Sequence, residues 1–454
     1  MKHLSCFKAY DIRGRVGVDL DEDLARRLGR AVAAELEANT VVVGRDARES
    51  SPWLVDALAE GLTSHGVDVL DLGLCGTEEV YFATAHFNAS AGVMVTASHN
   101  PIEYNGFKIV GAGASPLSDE RFRAIEAATA HGLYSTVAQK GKHAFANCRD
   151  AYVERVLSFI DPEALMPLRI LANSGNGAAG PTLDAVLKGL SSRNAAIDAV
   201  RMHHAPDASF PNGIPNPLLP ENQPATAEAV VTSAADFGIA WDGDFDRCFF
   251  FDHTGEFIPG EYLVGLLAAS MLERYPGEQI VHDPRVFWNT CEIVGRTGGR
   301  AVVSKTGHAL IKAKMRETGA IYGGEMSAHH YFRDFMYCDS GMIPWLLVAA
   351  YISKTGQSLR DLVADMRARF QSSGEINFRV DDPAEVTERI RKTYETKTIA
   401  SDTLDGLSFE TSAWRLNLRC SNTEPLLRLN IEARGSQCDL SQLVSEVSDI
   451  IGVA

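Results

Sequence analysis

Short runs of β-branched residues alternate with amphipathic segments along most of this chain, and this pattern restricts its fold more than any other feature. Residues 40–44 (Thr-Val-Val-Val-Gly) are typical of a buried strand, and leucines at positions 54, 58 and 62 then recur at helical spacing. Similar rounds begin at residues 169–172 and 279–281. Strands and helices that alternate in this way form sheets covered by helices, so we expect an α/β fold.

The last part of the chain follows a different order. From about Ser373 the pattern indicates a strand, a helix, further strands and a final helix, which is typical of an α+β unit. A chain of 454 residues has room for roughly three domains or more, and three α/β rounds with a distinct tail fit this length better than one large sheet. The predicted domains are residues 1–142, 143–246, 247–365 and 366–454.

The net charge argues against large polyanionic partners. The chain has 43 Lys and Arg residues against 59 Asp and Glu residues, which gives a formal net charge of −16. An acidic surface repels nucleic-acid phosphates at long range, although it does not exclude a small anionic ligand in a local basic pocket. We therefore predict no nucleic-acid partner.

Hydropathy and cysteine usage indicate a cytoplasmic protein. The longest apolar stretch, residues 342–352, is about half of what a membrane span needs, and residues 1–7 lack the apolar core of a signal peptide. The eight cysteines are scattered, and no two form a Cys-x-x-Cys pair, so neither a zinc ribbon nor a disulfide framework is indicated. We expect no membrane partner and a reducing, cytoplasmic location.

The clearest candidate site is the acidic loop at residues 242–247 (Asp-Gly-Asp-Phe-Asp-Arg), which lies between two apolar strands. Asp242, Asp244 and Asp246 can converge if the chain turns here, and three close carboxylates need a cation. Oxygen ligands suit Mg²⁺. An EF-hand is excluded, because Arg247 stands where that motif requires glycine. Taken alone, the loop could also be a solvated acidic turn.

A second candidate is the segment at residues 96–101 (Thr-Ala-Ser-His-Asn-Pro), at the carboxyl end of a predicted strand. Ligands of α/β proteins bind at such strand ends. Ser98 could act as a nucleophile, but His99 follows it directly in sequence and need not face it, so a Ser-His-Asp triad is not established. A serine before Asn-Pro is otherwise more often a turn or cap residue.

Two further segments carry polar groups in dense clusters. Residues 323–330 (Gly-Gly-Glu-Met-Ser-Ala-His-His) offer donors and acceptors suited to a hydroxyl-rich ligand, or a glycine turn with a capping serine. Residues 419–425 (Arg-Cys-Ser-Asn-Thr-Glu-Pro) offer a guanidinium, hydroxyls and an amide that suit a phosphate, or an ordinary hairpin turn.

Taken together and in order, these four segments resemble the α-D-phosphohexomutases, and most closely the phosphomannomutase branch of that family. Residues 96–101 look like the family's phosphoserine loop, 242–247 its metal loop, 324–329 its sugar-binding loop and 419–425 its phosphate-binding loop. Residues 8–14 (Lys-Ala-Tyr-Asp-Ile-Arg-Gly) match the family's start, so the resemblance extends over essentially the whole chain.

The resemblance implies three mixed α/β domains and a smaller C-terminal α+β domain, arranged as a heart with a central cleft. The implied reaction interconverts mannose 6-phosphate and mannose 1-phosphate through a phosphoserine enzyme and a hexose 1,6-bisphosphate, and supplies GDP-mannose synthesis. Mg²⁺ would be the cofactor, and a hexose 1,6-bisphosphate the activator. The partner would be a small hexose phosphate, and the protein a monomer or weak homodimer.

The resemblance also implies a role for individual residues. The implied metal ligands are Ser98, Asp242, Asp244 and Asp246. The implied catalytic residues are Ser98, Lys108, His329, Arg247 and His99. The implied substrate contacts are Glu325, Ser327, His308, Arg285, Tyr10 and Arg13. The implied phosphate contacts are Arg419, Ser421, Asn422 and Thr423. Lys108 and His329 would assist proton transfer, for which Lys108 would need burial or nearby cations to lower its pKa.

The sequence departs from the family at three positions. Arg285 stands where many relatives have lysine, and the two cations differ in geometry. Phe245 and Ala328 replace glycines that are common in the wider family. None of the three departures removes a reacting group.

Three other functions stay open. The same fold could act on glucose or glucosamine phosphate, although Met326 favours mannose or glucose. A metal-dependent sugar phosphatase would differ by admitting water to the phosphoenzyme. A non-catalytic sugar-phosphate binding protein would have no use for the nucleophile Ser98, the three aspartates or Lys108.

Overall fold

The computed structural model of the chain describes residues 4–132, 139–420 and 426–452. These residues fold as two units that each combine two stretches of the chain. The first unit contains Met1–Phe257 and His329–Leu359, and the second contains Ile258–Ala328 and Arg360–Ala454.

The first region of the chain forms a six-stranded sheet with four helices. Its strands are β1 (Ile12–Arg15), β2 (Thr40–Arg45), β3 (Asp68–Leu74), β4 (Ala91–Val95), β5 (Tyr104–Gly111) and β6 (His143–Phe145). Its helices are α1 (Glu22–Glu35), α2 (Ser51–Thr63), α3 (Thr77–His86) and α4 (Asp119–His131). The strand order is β1-β5-β4-β2-β3-β6, with β1 and β5 antiparallel to their neighbours.

Close packing of α1 on α2 fixes one side of this region. Asp21 caps α1 by accepting from the Leu24 N–H, and apolar residues of α1 at helical spacing face the core. A Cβ on Gly29 would lie 2.3 Å from the Leu58 carbonyl oxygen, so only glycine allows the two helices to approach this closely.

The second region contains the hairpin that carries the acidic loop. Its strands are β7 (Leu168–Asn173), β8 (Ile197–Met202), β9 (Phe237–Trp241), β10 (Cys248–Asp252) and the short β11 (Phe257–Ile258). Its helices are α5 (Arg149–Leu157), α6 (Ala179–Ser191) and α7 (Pro224–Thr232). Strands β8, β7 and β9 are parallel, and β10 returns antiparallel to β9.

The third region is divided between the two units. In the second unit, β12 (Gln279–His282) lies between the parallel strands β13 (Arg300–Val303) and β14 (Tyr322–Gly324). In the first unit, β15 (His330–Phe332) pairs antiparallel with β16 (Cys338–Asp339). The helices are α8 (Gly260–Arg274), α9 (Phe287–Arg296), α10 (His308–Thr318), α11 (Ile343–Thr355) and α12 (Leu359–Arg369).

The C-terminal region is an antiparallel sheet with two helices. The order of its strands is β17-β21-β20-β19-β18. The strands are β17 (Phe370–Arg379), β18 (Ala400–Asp402), β19 (Leu407–Glu410), β20 (Trp414–Cys420) and β21 (Leu426–Arg434). Its helices α13 (Pro383–Tyr394) and α14 (Leu440–Ile451) contribute Ile390 and Val447 to the core of the sheet.

These elements confirm the predicted fold class, including the change of pattern in the C-terminal part. One strand that the sequence did not indicate is β5, since Asn105, Gly106 and Lys108 interrupt its apolar pattern. Among the described residues, no helix combines the length and apolar character that crossing a membrane would require.

Candidate active site

Ser98 lies just beyond the end of β4, on a loop with an unusual backbone. Its φ is 49°, a left-handed conformation that residues other than glycine seldom adopt. Its N–H donates to Thr96 Oγ1 (2.8 Å), and its buried hydroxyl donates to Asp242 Oδ2 (2.6 Å). The loop therefore presents Ser98 Oγ to the acidic loop that joins β9 to β10.

His99 contacts the same hydroxyl, with Nδ1 at 2.9 Å from Ser98 Oγ. Since Ser98 has a single hydroxyl proton and donates it to Asp242, His99 Nδ1 must be the donor in this contact. Burial, then the charges of Arg247 and Arg13, lower the pKa of His99 well below its usual value, so the ring is neutral. A nitrogen that already carries a proton cannot take one from Ser98, so this arrangement is not a Ser-His-Asp triad.

The acidic loop comes so close to the Ser98 loop that one position must be glycine. A Cβ on Gly243 would lie 2.7 Å from the Ser98 carbonyl oxygen. The loop is held at its ends by the antiparallel pairing of Trp241 with Cys248. The hairpin and the glycine together place Asp242 against Ser98, although the two residues are 144 positions apart in sequence.

The backbone at Phe245 and Ala328 is left-handed, which suits the glycine that the family resemblance implies at both positions. Their φ angles are 44° and 66°, which lie in the left-handed region where glycine has no steric cost. Phe245 is fully buried, and its ring lies against Gly76, where a Cβ would be 2.2 Å from it. Packing of the Phe245 ring therefore offsets the strained backbone.

The three aspartates converge as the sequence predicted. One carboxylate oxygen from each of Asp242, Asp244 and Asp246 lies within 4.8 Å of the others, and all three residues are buried. Burial, then the charges of Asp246 and Asp244, raise the pKa of Asp242 to about 7. Burial acts in the same direction on Asp246, but the charge of Lys108 opposes it, and the pKa of Asp246 lies well below its usual value. So much buried negative charge requires positive charge beside it.

Lys108, on β5, provides one such charge. Its Nζ lies 2.7 Å from Asp244 Oδ2 and 2.5 Å from Asp246 Oδ2. Burial lowers the pKa of Lys108, but the carboxylates of Asp244 and Asp246 outweigh burial, so the net result is a raised pKa. In this geometry Lys108 is an ammonium ion that neutralises the aspartates, and its pKa is shifted away from the direction that a general base needs.

The cluster has the donor set of a magnesium site. Asp244 Oδ2 accepts from Thr77 Oγ1 (2.6 Å), whereas the buried Oδ1 of Asp244 has no hydrogen-bond partner in the described part of the chain. A buried carboxylate oxygen without a donor, within reach of two further carboxylates, fits a hard divalent cation. The residues that would hold it are Asp242, Asp244 and Asp246, with Ser98 beside them.

Arg247 and His329 face the same aspartates. Arg247 Nε donates to His329 Nε2 (3.1 Å) and lies 3.8 Å from Asp242 Oδ2. His329 Nε2 also lies 3.5 Å from Asp246 Oδ1. Because Nε2 accepts from Arg247, it carries no proton in this arrangement. The first unit thus gathers all five predicted catalytic residues, including Ser98, around the three aspartates.

Arg13 extends this cluster towards the start of the chain. Its Nη1 donates to Asn100 Oδ1 (2.6 Å), two residues beyond Ser98, and its Nη2 pairs with Asp11 (2.7 Å). Tyr10 is half-buried just before β1. Arg13, predicted as a substrate contact, therefore lies against the Ser98 loop.

In the second unit, the predicted sugar-binding residues follow β14. Glu325 is buried and accepts from the Gly307 N–H (2.8 Å), and His308, the first residue of α10, comes next in the chain. Ser327 and His308 are half-buried. A glycine at 307 suits its φ of 129° and brings the start of α10 to the loop.

Asp283 connects that loop to Arg285. Its Oδ2 accepts from the Met326 N–H (3.0 Å) and from Arg285 Nη2 (2.5 Å). Arg285 also reaches Glu375 Oε2 at 3.1 Å. Burial opposes the charge on Arg285, but Asp283 outweighs burial, and the net pKa of Arg285 is raised. The guanidinium is therefore fixed between two carboxylates.

Glu375 is the centre of a cluster of guanidinium groups. Arg419 Nη2 donates to its Oε2 (2.8 Å), and Arg428 Nη1 lies 3.5 Å from its Oε1. Burial would raise the pKa of Glu375, but Arg285 and Arg419 outweigh it and lower the pKa to about 2. The other predicted phosphate contacts, Ser421, Asn422 and Thr423, lie outside the described residues.

The sequence did not draw attention to the groups that hold the Ser98 loop. Asp46 and Arg48 follow β2, and each is only 1% exposed. A readable signal existed, because charged residues directly after an apolar parallel strand stand where α/β proteins place their ligands. The sequence did not indicate the contact of Thr77 with Asp244 either, because threonine is common at helix starts for capping alone.

The fold and the site define a multidomain α/β protein with a candidate metal centre beside a strand-end serine. Family models for the phosphoglucomutase/phosphomannomutase alpha/beta/alpha domains I, II and III match residues 5–134, 150–255 and 259–370, and the C-terminal domain model matches residues 375–450. This chain belongs to the phosphoglucomutase/phosphomannomutase family.

Relatives resemble the chain over nearly its whole length. It is 53% identical over 438 residues to a phosphomannomutase of Salmonella montevideo, with 96% of each chain covered. It is 53% identical over 450 residues to a protein named phosphohexose mutases from Xanthomonas campestris, with 99% of each covered. A crystal structure of a family protein from Burkholderia thailandensis is 32% identical, with a TM-score of 0.87, 99% of this chain covered and 96% of that one.

Proposed function

We propose that this chain is a phosphomannomutase, which interconverts mannose 6-phosphate and mannose 1-phosphate through a phosphorylated Ser98 and a hexose 1,6-bisphosphate. The observation that carries the proposal is the 2.6 Å contact between Ser98 Oγ and Asp242 Oδ2, within a buried cluster of three aspartates and a lysine. The names of relatives at 53% identity support mannose phosphate as the substrate.

Transfer begins with the phosphoryl group on Ser98 Oγ. A sugar hydroxyl attacks the phosphorus, the bond from phosphorus to Ser98 Oγ breaks, and a new ester forms on the sugar. The electron pair of the broken bond stays on Ser98 Oγ, which takes a proton from the Nδ1–H of His99. Bound Mg²⁺ would neutralise charge on the transferred group. The proton of the attacking hydroxyl goes to His329 Nε2, which carries no proton while Arg247 donates to it.

Lys108 and Arg247 serve as fixed positive charges in this scheme. Lys108 Nζ is within 2.7 Å of two aspartates, and Arg247 Nε lies 3.8 Å from Asp242 Oδ2 and donates to His329. Positive groups that are already in place stabilise the developing charge without reorganisation. After the bisphosphate has reversed its orientation in the site, Ser98 recovers the second phosphate by the reverse of the same step.

Residues of the second unit would hold the sugar and its other phosphate. Glu325 can accept from two neighbouring sugar hydroxyls. Ser327, two residues further along the chain, and His308, at the start of α10, would contact the sugar as well. Arg285 and Arg419 offer guanidinium groups for the phosphate that is not reacting, together with Ser421, Asn422 and Thr423.

The proposal further includes a cytoplasmic location and a monomer or weak homodimer. All eight cysteines are free thiols, which supports a reducing compartment.

A coupled assay tests the activity directly. Mannose 1-phosphate and glucose 1-phosphate are supplied separately, with and without a hexose 1,6-bisphosphate primer, and formation of the 6-phosphate is followed. We expect turnover of mannose 1-phosphate that the primer increases. Equal or faster turnover of glucose 1-phosphate would indicate a phosphoglucomutase or a dual-specificity enzyme instead.

Inorganic phosphate is measured in the same reactions. A mutase must keep water from the phosphoenzyme, whereas a phosphatase admits it. Release of inorganic phosphate at the turnover rate would contradict the proposal and favour a sugar phosphatase.

A further inference from the structure

Arg48 lies directly beneath the Ser98 loop and is one of the most deeply buried charged residues of the chain, with 1% of its surface exposed. Its Nη2 donates to the carbonyl oxygens of Ser98 (2.9 Å) and Asn100 (2.6 Å). Its Nη1 donates to the carbonyl oxygens of Pro101 (2.9 Å) and Tyr104 (3.0 Å). One guanidinium therefore binds four backbone carbonyls of a single loop.

Asp46 holds the same loop through Thr96. Its Oδ2 accepts from Thr96 Oγ1 (2.8 Å) and lies 3.4 Å from Arg48 Nε, and its Oδ1 accepts from Ser51 Oγ (2.5 Å). Thr96 Oγ1 in turn accepts from the Ser98 N–H (2.8 Å). A continuous chain of hydrogen bonds thus runs from the start of α2 to the nucleophile's own peptide group.

A third contact reaches Arg48 from the long Pro- and Asn-rich loop of the second region. The Phe210 ring centroid lies 5.8 Å from the guanidinium carbon. An aromatic face at this distance attracts a guanidinium and limits its movement. The guanidinium is therefore held by a carboxylate, an aromatic face and four carbonyls.

The geometry has a specific requirement that only arginine meets. The left-handed φ of 49° at Ser98 is unfavourable for a serine, so the surrounding contacts must hold it there. A planar guanidinium has five N–H donors, and two of its nitrogens here serve four carbonyls, whereas a lysine ammonium has three donors. Loss of these bonds would let the loop relax and move Ser98 Oγ away from Asp242.

We propose that Arg48 is a positioning residue for phosphoryl transfer: its bonds to the Ser98, Asn100, Pro101 and Tyr104 carbonyls hold Ser98 Oγ against the aspartate cluster. The predicted effect of Arg48 on turnover rests on the proposed function, whereas its predicted effect on the conformation of the Ser98 loop does not. A misplaced reacting atom slows chemistry without weakening substrate binding, so the two kinetic constants should separate.

The variants are Arg48→Met, which keeps the side chain's length without donors, and Arg48→Lys. We expect Arg48→Met to lower kcat for mannose 1-phosphate by about a hundredfold, with KM changed by less than about threefold. The kcat of Arg48→Lys should lie between that of Arg48→Met and that of the wild type. Arg149→Met is the matched control, because Arg149 also bonds a buried carboxylate, Glu79, away from the Ser98 loop.

Hydrogen exchange measures the loop without relying on activity. We expect peptides that contain residues 98–104 to exchange at least about tenfold faster in Arg48→Met, while those of β2 and β4 stay as in the wild type. If Arg48→Met does not fold, Arg48→Lys supplies both measurements. Guanidinium ion, at concentrations that leave the wild type folded, should restore part of the kcat of Arg48→Gly.

Two results would overturn the inference. One is a folded Arg48 variant with wild-type kcat and wild-type exchange in residues 98–104. The other is a raised KM with unchanged kcat, which would make Arg48 a binding residue. If the wild-type protein has no mutase activity, the proposed function fails, and faster exchange in the variants still decides whether Arg48 holds the loop.

Discussion

At the scale of single residues, the site depends on a few buried charges that balance one another. Asp242, Asp244 and Asp246 place three carboxylates in one buried cluster, and Lys108 and Arg247 neutralise part of that charge. Burial makes every such charge expensive unless it is paired, so changing any member should affect the others. To separate a loss of activity from a change in charge balance, the substituted side chain must therefore keep the size and shape of the original.

Ser98→Ala removes the proposed phosphoryl carrier. We expect kcat to fall by several orders of magnitude and the free energy of unfolding to change by only about 1–2 kcal/mol, because the variant loses just the hydrogen bonds of this hydroxyl with Asp242 and His99. Intact mass of the active wild type should show one added phosphate that Ser98→Ala lacks. Wild-type turnover in this variant would exclude Ser98 as the carrier.

Asp244→Asn keeps the size of the side chain and removes one negative charge from the cluster. We expect weaker Mg²⁺ binding in a calorimetric titration and a parallel loss of activity, since a neutral amide is a poorer ligand. Asp198→Asn, at an exposed position on β8, is the control. Chelation should abolish activity reversibly, and full turnover after chelation would show that the cluster is not a catalytic metal site.

At the scale of elements, the candidate residues lie on the loops that follow strands. Ser98 follows β4, Asp46 and Arg48 follow β2, and the acidic loop follows β9. Because β2 and β4 are neighbouring parallel strands, their carboxyl ends lie at one edge of a sheet, and Arg48 and Ser98 meet there. The acidic loop comes from the sheet of the second region and meets them through loop contacts. In the C-terminal region the arrangement differs, because antiparallel strands β17, β20 and β21 bring Glu375, Arg419 and Arg428 together side by side.

Arg419→Ala tests the phosphate-binding role of the end of β20. Loss of a charge-assisted contact should raise KM for mannose 1-phosphate by about tenfold and let the bisphosphate escape into solution, while Ser98 is still phosphorylated. Chromatography during turnover measures the released bisphosphate. Arg434→Ala, whose guanidinium lies over Trp288, is the control. Unchanged KM without added release would place the distal phosphate elsewhere.

At the scale of the whole molecule, one buried carboxylate joins distant parts of the first unit. Glu78, on α3, is fully buried and accepts from Tyr152 of α5, from Ser340 Oγ (3.0 Å) and from the Gly341 N–H. Glu78 and these partners belong to three different regions of the chain. Burial raises the pKa of Glu78 from its usual 4.5 to about 8, in spite of the donors around it.

This shift predicts a pH-dependent stability. The unfolded chain releases the Glu78 proton near pH 4.5, whereas the folded protein keeps it until about pH 8, where its pKa lies. Between these values the folded state binds more protons, so the free energy of unfolding should fall as pH rises, by up to about 1.4 kcal/mol per pH unit. Above pH 8 this contribution is lost.

Thermal unfolding of Glu78→Gln measures that contribution, because an amide of the same shape does not titrate. We expect the variant's unfolding temperature to depend less on pH between about 5 and 8 than that of the wild type. Burial also raises the pKa of Glu432 and of Asp242 to about 7, so both proteins keep some dependence of the unfolding temperature on pH. Identical slopes would show that Glu78 is ionised in the folded state.

The sequence alone determined the fold class, and it predicted which residues form the site. The apolar runs at residues 40–44, 169–172 and 279–281 placed β2, β7 and β12 within a residue or two of where they occur, because strand patterning is a local property. Two of the four polar segments contain Ser98 and the three aspartates, and the family resemblance added Lys108, before any distance was known. The domain boundaries at 142, 246 and 365, and the roles of individual site residues, stay predictions.

Only the tertiary structure decided how these residues act on one another. It showed that Lys108 faces two carboxylates, which raises its pKa when the sequence suggested that burial would lower it. It also brought Arg48, Asp46 and Phe210 to the Ser98 loop, and Glu78 to Tyr152 and Ser340. Hydrogen bonds and pKa shifts depend on distances between atoms from separate strands, and sequence spacing does not encode those distances.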